Sequence, residues 1–140
     1  MDTWVVYALL AALFAAAVAI FGKLGVAGVD PTAATAVRSV VMTVFLCGAT
    51  VALGKAPLLR HVSGRALGFV VLSGVAGALS WMFYFWALRS GPAVGVAALD
   101  RLSVVLVLIL AALFLAEPWS WRTAAGALLV TAGAAVISVG

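Results

Sequence analysis

Long apolar runs, each close to the length of a membrane span, are the feature that most limits how this chain can fold. Residues 3–22, 66–88 and 123–140 contain no charged side chain. A helix of about 20 apolar residues crosses the hydrocarbon core of a bilayer. Of the 140 residues, 67% are hydrophobic and 9% are charged, so the chain could not cover a water-facing surface. The sequence therefore predicts an all-α integral membrane protein.

Five transmembrane helices fit the sequence, and they leave no room for a second domain. Their predicted bounds are approximately 3–26, 31–53, 65–89, 92–116 and 118–140, within a single transmembrane domain over 1–140. The dipeptide Asp30-Pro31 is a typical helix start, because proline fits the first turn. Strands of a β-barrel are excluded, since the apolar runs are long and continuous rather than alternating.

The distribution of basic residues predicts the orientation. The connection after the second helix carries Lys55, Arg60 and Arg65, and the positive-inside rule places it in the cytoplasm. When the basic residues just within the opposite helix ends are counted, they nearly balance this bias, so the chain can insert in both orientations. With an odd number of helices, two oppositely inserted copies form an inverted repeat, the architecture of many transporters. The net charge of +4 is thus explained by topology, and no nucleic-acid partner is expected.

The fourth helix contains an acidic and a basic residue, Asp100 and Arg101, within an otherwise apolar run. One charge at the centre of a membrane helix costs roughly 2.5–3.5 kcal/mol. Neighbours i and i+1 do not face each other on a helix, so each charge is expected to find a partner elsewhere. Lys23 and Arg38 lie at a similar depth, roughly 8–12 Å from the same surface. We predict a polar layer of these four residues, with excess positive charge that favours anionic ligands.

Two interpretations of this layer remain open from the residues alone. The fourth span could begin at Leu102, which would place Asp100 and Arg101 at the interface with the arginine extending towards water. The basic residues could likewise serve only to set topology. Intramembrane charges that face a cavity are the functional alternative.

Aromatic and small residues supply further candidates. Trp81 and Tyr84 share one face of the third helix and could form the wall of a binding cavity, whereas Trp86 is expected in the interfacial belt. Gly126 and Gly133 are seven residues apart on one face of the fifth helix. Such small residues suit close helix packing, either at a dimer interface or within the monomer.

No constellation for catalysis, metal or cofactor binding is present in the sequence. The single histidine, His61, lies in the basic connection, and no cluster of ligands with metal spacing, nucleophile elbow or phosphate loop occurs. The single cysteine, Cys47, excludes an internal disulfide. We expect no enzyme activity and no cofactor.

Several segments, in this order and spacing, resemble the EamA-type family of the drug/metabolite transporter superfamily, in its five-helix bacterial and archaeal branch. They are "FGKLGVAGVDPTAATAVRS", "LSWMFYFWALRSGPA", "LDRLSVVLVLILAALFLAE" and the glycine-rich last helix. Two positions depart mildly from the family pattern, which usually has Lys at Arg101 and Gly at Ala116. Better-known relatives contain two inverted five-helix repeats and this chain contains one, so the resemblance implies a homodimer, antiparallel in arrangement.

The residues and the resemblance together predict a secondary transporter or exporter in the inner membrane of a bacterium or archaeon. The substrate would be a small amphipathic metabolite, with a preference for anions, moved by alternating access. Asp100 would be the ion-pair or proton-responsive residue, and Ser103 would help shape the site. The predicted substrate-binding residues are Lys23, Arg38, Trp81, Tyr84, Asp100, Arg101 and Ser103. Two alternatives are a flippase for lipid-linked substrates and a non-transporting membrane subunit.

Overall fold

The protein is described here from a computed structural model, which covers residues 2–118 and 120–139. The predicted last helix, 118–140, thus includes two positions, Trp119 and Gly140, outside the described residues. The described elements, in chain order, are α1 (Thr3–Gly25), α2 (Pro31–Ala52), a 3-10 helix (Ala56–His61), α3 (Gly64–Ser90), α4 (Ala93–Asp100), α5 (Ser103–Phe114) and α6 (Trp121–Val139).

Five segments of the described residues are long and apolar enough to cross a membrane: α1, α2, α3, the combined stretch Ala93–Phe114, and α6. Large apolar side chains cover their exteriors. Phe45 and Leu113, for example, are each 72% exposed, and the largest fully buried side chain is Leu88. An exterior of this kind is stable only against lipid, because it would not be covered in water. The predicted all-α fold with five spans is confirmed.

The fourth span differs from the continuous helix expected over residues 92–116. Helix α4 ends at Asp100 and α5 begins at Ser103. Between them, the N–H of Arg101 donates to the Ala98 oxygen at 3.1 Å, and that of Leu102 donates to the Leu99 oxygen at 2.9 Å. Bonds between residues three apart are typical of a tighter 3-10 turn. The span therefore contains a short break at the charged pair, where the N–H groups of Arg101 and Leu102 stay bonded.

The chain forms two compact units, which we name the α2–α3 unit (residues 24–89) and the terminal unit (residues up to 23 and from 90 onward). In the terminal unit, α6 packs on α4 and α5. The buried residues of α6 are Ala127 and Ala134, again seven apart, while α5 buries Ala111. Alanines on the packed faces let helices approach closely.

Gly126 directly precedes the buried Ala127, and Gly133 directly precedes the buried Ala134. Both glycines are exposed. A Cβ atom added to either glycine would meet no atom within 4 Å. The two glycines are therefore not the packing residues of α6 inside the terminal unit. Their face is open, as a dimer interface would require, and the dimer itself stays a prediction.

In the α2–α3 unit, the start of α2 is fixed by its cap. Asp30 accepts hydrogen bonds from the N–H groups of Thr32 and Ala33, at 2.9 and 3.0 Å, and Pro31 occupies the first turn. The preceding turn includes Gly28 at φ 84°, a left-handed conformation that glycine adopts without strain. The start of α2 lies beside the end of α3, where the indole N–H of Trp86 donates to the Thr32 hydroxyl.

Candidate functional site

The side chain of Arg38 lies on the aromatic face of α3. Its guanidinium carbon is 3.7 Å from the centre of the Trp81 ring and 5.7 Å from that of Phe85. Trp81 also makes edge-to-face contacts with Tyr84, at 5.4 Å between ring centres, and with Phe85, at 6.2 Å. The structure thus brings three predicted site residues together, Arg38, Trp81 and Tyr84, in one cation–aromatic cluster.

Phe85 belongs to this cluster and was not among the predicted site residues. It is buried, with 4% of its surface exposed, and it supports the Trp81 ring from the same helix. Phe85 lies four residues after Trp81, a spacing at which side chains on a helix contact each other. The helical periodicity could therefore have predicted that Phe85 belongs to the cluster.

No carboxylate of the α2–α3 unit neutralises Arg38. The single acidic residue in that unit is Asp30, which caps α2 eight residues earlier. Stacking on aromatic rings stabilises a guanidinium by about 0.5–2 kcal/mol and leaves its N–H edges available to a planar anion. The cluster therefore combines an apolar wall with a positive charge that no carboxylate of the α2–α3 unit neutralises, which suits an amphipathic anion.

Asp100 and Arg101 contact each other, contrary to the expectation that adjacent charges on a helix would not. Arg101 Nη2 lies 3.8 Å from Asp100 Oδ2. The break after α4 and the long arginine side chain allow the guanidinium to fold back. The side chains of Arg101 and Asp100 are 53% and 40% exposed, and a loose exposed pair of this kind contributes little stability. Ser103 follows as the first residue of α5.

Lys23 binds main chain in the terminal unit. Its ammonium group donates a hydrogen bond of 2.8 Å to the carbonyl oxygen of Gly91, just after α3 ends. The end of a helix carries partial negative charge, and a lysine there is favourable. A shared layer of Lys23, Arg38, Asp100 and Arg101 stays a prediction.

A second polar group lies where α2 begins and α3 ends. A cleft of about 250 Å³ is lined by Asp30, Pro31, Thr32, Trp86 and Arg89. The hydrogen bond from the Ala33 N–H is the main cause that holds the pKa of Asp30 below its ordinary value. Partial desolvation raises this pKa, whereas hydrogen bonds from Thr32 and the charge of Arg89 lower it further. Sequence reasoning missed this cleft, because it assigned Asp30 to a helix cap and Trp86 to the interfacial belt.

Comparison with known proteins identifies the family. The chain matches the EamA-like transporter family over residues 2–139. A protein of Sinorhizobium sp. described as "Uncharacterized transporter in cobO 3'region" is 39% identical over 138 residues, which cover 99% of this chain and 98% of that protein. No solved structure matches the chain. The five spans, the family match and this similarity agree, and the chain belongs to the EamA-like transporter family of membrane transporters.

Proposed function

We propose that this transporter is a secondary carrier for a small amphipathic metabolite with an anionic group. The main support is the position of Arg38 within a membrane span. Its guanidinium carbon lies 3.7 Å from the centre of the Trp81 ring. A cation in a span is costly, and such residues commonly mark a substrate pathway. Here aromatic rings take the place of a carboxylate, so the guanidinium charge remains available to a ligand.

The aromatic neighbours indicate which substrates the cluster would favour. Trp81, Tyr84 and Phe85 offer ring surfaces to an apolar moiety, and the Arg38 fork matches carboxylate or phosphate oxygens. A ligand with both parts gains from both contacts. A purely polar ion would lose the ring contacts, and a neutral amphipathic molecule would leave the guanidinium without an anionic partner.

We propose further that the working unit is an antiparallel homodimer in the inner membrane that operates by alternating access. One chain supplies five spans, and two opposite copies would form an inverted repeat. The open face of α6 around Gly126 and Gly133 is a suitable contact, because helices can approach closely there. Lys23, Asp100, Arg101 and Ser103 complete the proposed site residues.

Transport in proteoliposomes tests the substrate proposal. The assay compares uptake of amphipathic carboxylates and sulfonates with uptake of their neutral amides by the wild type, Arg38→Lys and Arg38→Gln. We expect Arg38→Gln to lower anion uptake by about tenfold or more, and Arg38→Lys to retain part of it, because lysine keeps the charge without the planar fork.

A matched control is available on α3. Arg65 also lies over an aromatic ring, 5.5 Å from the centre of Phe69, but at the start of that helix. Arg65→Gln should leave anion uptake near the wild-type rate. Equal losses in Arg65→Gln and Arg38→Gln would mean that general charge, rather than the Arg38 cluster, controls transport.

Cysteine labelling tests the dimer proposal. Cys47 is replaced by Ser, and Ser63, a neutral residue near Arg60 in the basic connection, is replaced by Cys. A membrane-impermeant thiol reagent is then applied to intact cells and to inverted vesicles. An antiparallel dimer predicts labelling of about half of the chains from each side, whereas labelling from one side alone would exclude it.

A further inference from the structure

The cleft where α2 begins and α3 ends is separate from the Arg38 cluster, which consists of Arg38, Trp81, Tyr84 and Phe85. Arg38 lies eight residues after Asp30, roughly 12 Å further along α2. The cleft measures about 250 Å³. Pockets for drug-sized ligands begin near 300 Å³, so this cleft fits a single small polar group rather than an extended molecule.

One wall of the cleft carries a negative charge that is held in place. Asp30 Oδ1 accepts both main-chain hydrogen bonds, from Thr32 and Ala33. These bonds contribute to the lowered pKa of Asp30, so the carboxylate is ionised at neutral pH. A carboxylate has more acceptor positions than these two bonds use, and it can therefore bind a further donor.

Another residue of the cleft, Arg89, carries a positive charge that is not within 4 Å of the Asp30 carboxylate. Arg89 lies in the last turn of α3, and its charge contributes to the lowered pKa of Asp30. The ion pair found within 4 Å among residues 2–118 and 120–139 is a different one, between Asp100 and Arg101. Asp30 and Arg89 thus bring opposite charges to one cleft, where a ligand with both charges could contact each of them.

Trp86 also lines the cleft. Its indole N–H donates to the Thr32 hydroxyl at 3.1 Å, which fixes the ring, and 45% of the residue is exposed. Tryptophan with one bonded polar edge and one open apolar face is typical of the level at which lipid headgroups lie. The ends of membrane helices are found at that level.

We propose that this cleft binds a zwitterionic ammonium–phosphate group, the headgroup chemistry of phosphatidylethanolamine, with the ammonium at Asp30 and the phosphate at Arg89. The ammonium N–H groups would donate to the carboxylate, and the guanidinium fork matches phosphate oxygens. A phosphate without a cation would meet the negative charge of Asp30. A choline group has no N–H to donate, so the cleft distinguishes three common headgroup types.

Lipid retention by the purified full-length protein tests this assignment. The protein is exchanged into mixed micelles with equal amounts of phosphatidylethanolamine, phosphatidylcholine and phosphatidylglycerol of the same acyl chains, and bound lipid is counted by native mass spectrometry. We expect the wild type to retain phosphatidylethanolamine roughly three- to tenfold above the other two, as befits exposed charge-assisted contacts.

Substitutions of Asp30 and Arg89 separate the roles of the two charges. Asp30→Asn keeps a good helix cap while it removes the negative charge. It should therefore bring retention of phosphatidylethanolamine and phosphatidylglycerol within about twofold of each other. Arg89→Gln should lower retention of both, and Arg89→Lys should restore part of it. Arg60→Gln, in the basic connection, is the control and should behave as the wild type. Circular dichroism and gel filtration verify folding.

A soluble probe distinguishes a lipid from a free solute with the same chemistry. Glycerophosphoethanolamine carries the headgroup without acyl chains. Displacement of bound phosphatidylethanolamine by this probe, with the same dependence on Asp30 and Arg89, supports the site and assigns it to a soluble ligand. Retention of the lipid against excess probe supports the site and assigns it to lipid. Equal retention of all three lipids by the wild type, or a preference that survives Asp30→Asn, overturns the proposal.

Discussion

Arg38 and Arg101 both lie within apolar spans, yet the molecule holds their charges in different ways. Arg38 projects from the continuous helix α2 onto aromatic rings, and its side chain is half-buried. Arg101 lies in the break between α4 and α5, where a neighbouring carboxylate 3.8 Å away is its charged contact and half of the side chain is exposed. A cation on a regular helix is thus held by packing, and a cation at a break is held by a loose ion pair.

The two arginines thus differ in how firmly their charges are held in this transporter. The ring contacts hold the Arg38 side chain in a packed arrangement, so its charge is fixed in place. An exposed ion pair contributes roughly 0.2–1 kcal/mol and can exchange partners at little cost. Substitutions that remove packing or charge separately test this difference, and they should change the free energy of unfolding by different amounts.

Trp81→Leu should have the largest effect, because it removes the ring beneath Arg38 together with its edge contacts to Tyr84 and Phe85. We expect a loss of roughly 2 kcal/mol and a severalfold loss of anion binding, with Trp81→Phe intermediate. Thermal unfolding in detergent and ligand titration measure these changes. Trp121→Leu, at a residue that is 85% exposed, is the control. Equal behaviour of the two leucine variants would show that packing does not hold Arg38.

Ala116→Gly should stabilise the far end of the broken span. Ala116 has φ 53°, a left-handed conformation that costs a residue with a Cβ roughly 1 kcal/mol relative to glycine. It follows α5, where the Glu117 N–H returns to the Ala111 oxygen. We expect Tm to rise by about 2–6 °C. The matched variant Ala112→Gly, inside α5, should instead lower Tm, because glycine weakens a helix interior. A rise in both would refute this explanation.

Asp100→Asn should change stability by less than about 0.5 kcal/mol, because the ion pair with Arg101 is loose and exposed. Uptake in proteoliposomes should nevertheless change, since the variant alters the charge at the break. A stability loss near that of Trp81→Leu would remove the proposed distinction between the two regions. Unchanged uptake by a folded variant would exclude Asp100 from the transport site.

Asp30 should give the smallest effect, and one that depends on pH. Its pKa in the folded protein lies below the ordinary value of 3.8, so folding favours the ionised carboxylate. This contribution is present above pH 3.8 and declines as the pH falls through the folded-state pKa. Melting curves of the wild type and Asp30→Asn at pH 7, 4 and 3 should therefore converge at the lowest pH. A difference that widens with acid would contradict the hydrogen-bonded cap.

The sequence predicted the spans well and the site less completely, for physical reasons. The length of an apolar run is enough to identify a membrane helix. Asp30-Pro31 marks the start of α2, because a capping carboxylate and a proline in the first turn act only on neighbouring residues. The break at Asp100 has no local signal, since its residues all tolerate a helix. The stacking of Arg38 on Trp81 joins two helices, and spacing within one helix cannot reveal which partner faces it. Depth along a span likewise does not identify the side chains that contact each other between helices.

The hydrogen bond from Lys23 to the Gly91 carbonyl has a consequence for how this protein can vary. Its acceptor is a main-chain oxygen, which every amino acid supplies, so no exchange of the Gly91 side chain deletes the acceptor itself. The donor, in contrast, depends on one codon. A substitution at position 23 therefore removes the donor itself, whereas a substitution at position 91 leaves a carbonyl oxygen in the chain.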